Sequence, residues 1–152
     1  MAANSNSVLA ESLYFVENGA GTYTGTVVIP AGATLIDVIV HADALWTAGT
    51  SATLIVGDTV DDDGIYTAVD LKATDLLAAE SLSIAFPAGQ FGADVVVDYT
   101  SVATIGASYV KRRQLSTERT LQAKVTSVGA GTAGRTRVTF VYAPLAQTII
   151  TQ

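Results

Sequence analysis

The 152-residue chain has no cysteine, one histidine, one methionine and one tryptophan. The absence of cysteine excludes a disulfide framework, a thiolate zinc site and a thiol nucleophile, so burial and hydrogen bonding must hold the fold. One histidine leaves little for side-chain acid–base catalysis. No uninterrupted apolar run reaches the roughly 18 residues of a spanning helix. The opening residues, MAANSNSVLAES, have neither a basic n-region nor a continuous apolar stretch, so a soluble protein without a signal peptide is expected. Basic residues are almost missing from the first part of the chain. Residues 1–110 carry thirteen acids against Lys72 alone, whereas residues 111–152 carry seven bases against Glu118 alone.

What is present is apolar. The chain is 49% hydrophobic and 14% charged, with a mean hydropathy of +0.41, which excludes the disordered class. Two explanations fit that surplus: apolar surface buried between subunits, or an alanine-rich core of small strands. The length suits one domain. Ala2–Ser7 is small and polar and reads as a flexible arm, so residues 1–7 are assigned to an arm and 8–152 to a single domain.

Strand follows strand along the chain. Tyr23–Ile29 ends at Pro30-Ala31-Gly32, where proline fixes φ and glycine permits a reversal. In Thr34–His41, Ile36, Val38 and Val40 share one face and Leu35, Asp37, Ile39 and His41 the other. Two largely apolar faces predict a central, covered strand. Ala52–Val56 and Ile65–Leu71 flank the acidic tract Asp58–Asp63. Thr74–Leu82 is the one helical patch, with extended chain from Ser81, and Pro87-Ala88-Gly89 repeats the earlier turn. Asp94–Tyr99 reads as a buried strand. Leu121–Ser127 and Thr136–Tyr142, flanking Gly129–Gly134, predict a hairpin that places Lys124, Arg135 and Arg137 on one exposed face. Ala146–Gln152 is apolar enough to add an edge strand to a neighbour. The expectation is an all-β fold, a β-sandwich or jelly roll of about seven to eight strands with at most one short helix.

Catalytic and metal constellations do not emerge. Asp37 and His41 lie four apart on one strand, about 13 Å between Cα atoms, too far for a dyad; no G-x-S-x-G elbow is present. The Asp58–Asp63 loop fails as an EF-hand, because Thr59 falls at the first ligand position and Asp70 at the twelfth. A solvated acidic loop is expected there, with a cation site of another kind as the alternative. Asp43, Asp94 and Asp98 lack any set separation for sugar hydrolysis. Neither Gly19-Ala20-Gly21 nor Gly129–Gly134 precedes a helix, which a phosphate cradle requires. No cofactor, metal or catalytic residue is therefore assigned. The candidate interaction residues are Lys111, Arg112, Arg113, Arg119, Lys124, Arg135 and Arg137. Net charge is −6 and no aromatic platform beyond Tyr109 accompanies the bases, so an acidic protein surface is expected as their partner in preference to nucleic acid. No membrane partner is expected.

The run from Val28 to His41 (VIPAGATLIDVIVH), followed by Ala52–Asp58 (ATLIVGD) and Asp63-Gly64-Ile65-Tyr66, resembles small virion proteins of tailed bacteriophages. The likeness spans about residues 22–71. It implies a non-enzymatic capsid decoration (cement) protein or related head component, a β-sandwich, commonly a homotrimer. Such a protein binds the major capsid protein on the capsid exterior after synthesis in the host cytoplasm. The Lys111–Arg119 stretch has no counterpart in that family, which leaves a fibre, neck or tail component with a receptor- or glycan-binding role as the alternative. That role predicts exposed aromatics such as Trp46 and Tyr66.

Overall fold

The computed structural model describes residues 7–74, 81–83 and 117–144. A period of two runs through its strands: Leu121, Ala123 and Val125 are buried with half-buried residues between them, as are Val138, Phe140 and Tyr142. Each strand therefore has one face to bury, and two sheets laid face to face bury both sets. The strands are β1 (Leu9–Val16), β2 (Gly21–Ile29), β3 (Thr34–Ala44), β4 (Ser51–Asp58), β5 (Tyr66–Asp70), β6 (Ser81–Ser83), β7 (Arg119–Val128) and β8 (Arg135–Ala143). Sheet A has the order β1-β8-β3-β6 and sheet B the order β2-β7-β4-β5. Every pairing is antiparallel. The protein is an all-β sandwich, with no α-helix among the described residues.

Leu35, Val38, Val40 and Phe140 of sheet A meet Val27, Leu54, Val56 and Val125 of sheet B in one core. The turn after β2 forms as its sequence predicts: Ala33 N–H donates to Pro30 O at 3.1 Å, and Gly32 takes φ +78°. That left-handed conformation is open to glycine without steric cost.

Three expectations are corrected. β3 does not keep a single phase. A bulge inserts Ile36 between Leu35, opposite Tyr142, and Asp37, opposite Val141. Leu35 thus joins Val38 and Val40 in the core while Ile36 is 36% exposed, because an extra residue in a strand flips the faces on either side of it. β3 does lie inside its sheet, but Ile39 and His41 on its outer face are only half-buried. The hairpin between β7 and β8 does not form. The chain crosses from sheet B to sheet A between Val128 and Arg135, so β7 pairs with β2 and β4, and β8 with β1 and β3. Alternation tells which side chains turn inward, not which strand lies alongside, and Gly129–Gly134 is long enough to span the roughly 10 Å between sheets. Finally, the helical patch does not reach Leu82: Ser81 and Leu82 belong to β6 against Val40 and His41, as the extended chain expected from Ser81 requires. The rest of that patch after Thr74, the Pro87-Ala88-Gly89 turn, Asp94–Tyr99 and Ala146–Gln152 lie outside the described residues.

The bulge gives an ordered pair of stabilities. Leu35→Ala is expected to cost about 2–5 kcal/mol and Ile36→Ala less than about 1. Urea unfolding of the two variants checks this, and the opposite order would put Ile36 in the core.

Candidate interaction surfaces

Because β7 and β8 lie in different sheets, the described bases do not share a face. Lys124 stands on the outer face of sheet B, between Thr24 and Ile55 of the adjacent strands. Its ammonium forms an ion pair with Asp62 of the acidic loop. That loop folds back on the end of β4: Asp58 Oδ1 accepts from the amides of Val60 (2.9 Å) and Asp61 (3.0 Å), and Asp58 N–H donates to Asp61 O at 2.8 Å. Gly57 makes the fold-back possible, since a Cβ there would lie 2.0 Å from Asp61 O. The acidic tract is therefore organised by its own backbone and by Lys124, not simply solvated. Among the described residues no group of three or more metal-ligating side chains is gathered.

Arg135 and Arg137 stand on the outer face of sheet A, across the sandwich from Lys124. Arg137 lies in a row between Tyr14 of β1 and His41 of β3. Its Nη1 donates to Tyr14 Oη at 3.3 Å, and the guanidinium sits 5.9 Å from the Tyr14 ring centroid, a cation–π distance. Arg135 is exposed, opposite Val16 and Ala44. Arg119 opens β7 opposite Ile29 and is half-buried. Lys111, Arg112 and Arg113 lie outside the described residues. His41 Nε2 is 3.6 Å from Asp43 Oδ1, and Asp37 Oδ1 accepts from the Val38 amide at 2.8 Å. The spacing argument against an Asp37–His41 dyad predicted no direct bond between them.

The aromatics expected on a sugar-binding surface are in the core. Trp46 is 2% exposed, donates Nε1–H to Thr136 Oγ1 at 2.9 Å and meets Tyr23 edge-to-face at 5.6 Å. Tyr66 is fully buried and reaches from sheet B to donate to Val38 O in sheet A at 2.7 Å. Burial, with the Asp37 charge adding to it, pushes the Tyr66 hydroxyl far up. Their large apolar area makes them worth more inside than out, and each polar end finds a buried acceptor. Tyr142 does the same at the sandwich edge: its hydroxyl donates to Glu11, and that bond, with burial and the carboxylate's charge, raises it to about 12.

One site was not anticipated from the sequence. Glu17, directly after β1, is 3% exposed. Its Oε2 accepts from the Thr47 amide (2.8 Å), the Thr47 hydroxyl (2.8 Å), the Ala133 amide (3.1 Å) and the Gly134 amide (2.9 Å). Its own N–H donates to Gly134 O, and Gly19 N–H donates to Gly131 O, both at 2.8 Å. Oε1 is buried without a hydrogen-bond partner and faces Gly131, where a Cβ would sit 2.2 Å away. A Cβ on Gly134 would strike Trp46 Cγ at 2.5 Å. The glycine-rich crossover is thus shaped to close over a carboxylate and an indole. Burial disfavours the charged form of Glu17, but the Thr47 and Gly134 amides, the Thr47 hydroxyl and the Ala133 amide outweigh it. They hold the carboxyl below its ordinary value of 4.5.

No known protein family and no curated protein matches this chain. Two solved structures do. A chain from the capsid of Ralstonia phage GP4 aligns with a TM-score of 0.52 at 17% identity, over 97% of this chain and 90% of that one. A chain from the acidic stable capsid structure of Helicobacter pylori bacteriophage KHP30 aligns with a TM-score of 0.48 at 12% identity, over 88% and 92%. The first likeness is one of fold, and it runs the length of both chains.

The Glu17 clasp makes a signed prediction. A carboxyl held low in the folded state stabilises it above the unfolded pKa, and that gain fades as pH falls through the folded value. Glu17→Ala leaves the buried Gly134 amide and the part-buried Thr47 and Ala133 amides without their acceptor and is expected to cost about 2–4 kcal/mol at pH 7. The gap between wild type and variant should narrow below the ordinary carboxyl value of 4.5. Urea titrations at neutral and acid pH check this; a gap that does not depend on pH would contradict the ionised clasp.

Proposed function

We propose that this protein is a structural component of a tailed-phage virion, specifically a decoration or cement protein that binds the outside of the head across capsomer boundaries. The observation that carries the reading is the likeness of fold, over nearly the whole chain, to a chain from a phage capsid. The resemblance of residues 22–71 to small virion proteins points the same way. The side chains best suited to chemistry have structural work: Glu17 clasps loops, His41 lies beside Asp43, and Tyr66 and Trp46 join the sheets. On this reading the protein is not an enzyme.

Attachment would be multivalent. An exposed ion pair contributes about 0–1 kcal/mol, so single contacts are weak, and an oligomer that engages a repeating lattice at several points converts them into firm binding. A homotrimer is the order that the family resemblance implies, with the major capsid protein as partner. The segment Lys111–Arg113 with Arg119 is the proposed contact with acidic capsid surface. Arg135 and Arg137 serve a second face. Lys124, already paired with Asp62, contributes least.

Reversing Lys111, Arg112 and Arg113 to Glu is expected to release the protein from particles at lower salt than wild type, and to lower the temperature at which the particles lose their DNA. Retention across a salt series, read by sedimentation of particles, measures it. Unchanged retention would contradict electrostatic attachment through this segment.

A further inference from the structure

Strand β1 is an edge of sheet A among the described residues. It pairs with β8 residue for residue, without a bulge, from Leu9↔Tyr142 to Val16↔Arg135, and no described strand lies on its other side. Alternate residues of such an edge direct N–H and C=O groups outward, ready to pair. The usual safeguards are absent, since Leu9–Val16 contains no proline, no lysine and no arginine. The other described edges present less apolar surface. β6 has three residues and β5 has five with a register shift against β4. β2 is as long and equally free of proline, lysine and arginine, but its outward row is mostly threonine (Thr22, Thr24 and Thr26), with Val28 its exposed large apolar side chain. Half of the exposed large apolar side chains among the described residues lie on β1 and the residue before it: Val8 (57%), Leu9 (42%), Tyr14 (59%) and Val16 (55%).

We infer that β1 pairs antiparallel with β1 of a second copy of this chain, about a two-fold axis normal to sheet A that passes beside Leu13. The outer face of the strand is self-complementary under that operation. Ala10 and Ser12 are small and occupy its first half; Tyr14 and Val16 are large and occupy its second. The two-fold places Val16 over Ala10 of the second copy and Tyr14 over Ser12, large against small along the whole row. Tyr14 arrives already braced by Arg137, and Ser12 by a hydroxyl–hydroxyl bond to Thr139 at 2.8 Å. The only charge on the strand, Glu11, meets Phe15 instead of another Glu11, and its carboxylate is held by Tyr142. A closed two-fold contact of this kind continues sheet A through both copies and uses up the exposed edge.

The absence of native cysteine makes the test clean. The double variant Ala10→Cys/Val16→Cys is expected to run as a covalent dimer under mild oxidation, because opposed residues on paired strands come within disulfide reach. Either single variant is expected to stay uncrosslinked. No covalent dimer from the double variant, or equal cross-linking of the singles, overturns the pairing. Light scattering supplies a second readout. The wild-type assembly should contain an even number of chains, a dimer or two trimers joined through β1, so a lone homotrimer overturns the contact; Tyr14→Lys/Val16→Lys should halve the assembly while the fluorescence of buried Trp46 stays unchanged. A monomer, or an assembly indifferent to the lysines, overturns it too. The contact rests on the fold and not on the virion reading, so a dimer missing from particles would keep the contact and remove the role.

Discussion

Two sheets stay face to face only if the chain can cross between them without stranding polar backbone, and Glu17 is where that demand is met. The crossover from β7 to β8 passes the end of β1 and the β3–β4 loop, and a single buried carboxylate oxygen after β1 collects donors from the crossover and from that loop. The buried Gly134 amide, left unpaired, would cost on the order of 1–3 kcal/mol, so the clasp converts a liability of the topology into its fastening. Trp46 completes it, with its indole N–H on Thr136 in β8. Tyr66 supplies a second tie between the sheets through Val38 O. The core fills the space between, but these polar ties select which strand lies over which.

The same topology distributes the charge. With β7 and β8 in opposite sheets, Lys124 looks out one side and Arg135 and Arg137 the other, and the acidic loop is drawn toward Lys124. The chain is thus polar in sequence but presents basic groups on both faces in space. The edge strand β1 adds an uncharged, directional surface to the charged ones.

The all-β class, the β2–β3 turn and the inward residues of β7 and β8 were legible because a period of two is written locally, residue by residue. What was not legible depends on partners distant in sequence. Nothing in Leu121–Ser127 or Thr136–Tyr142 records that each pairs with strands from the first sixty residues instead of with the other. The Ile36 bulge is invisible because Ile36, Val38 and Val40 form as good an apolar row as Leu35, Val38 and Val40. Glu17 belongs to no motif; its only signal was its place between an apolar strand and Asn18-Gly19, in a chain that keeps a glycine-rich segment for later. Trp46 read as a surface aromatic because its acceptor, Thr136, lies ninety residues away.

The central claim is that this sandwich is a built-in part of a phage particle. Quantitative mass spectrometry of gradient-purified particles tests it most directly. The account predicts this chain in a fixed ratio to the major shell protein, constant from one preparation to the next and retained after washing at moderate salt. Its absence from mature particles, or a trace amount that varies between preparations, would contradict the account.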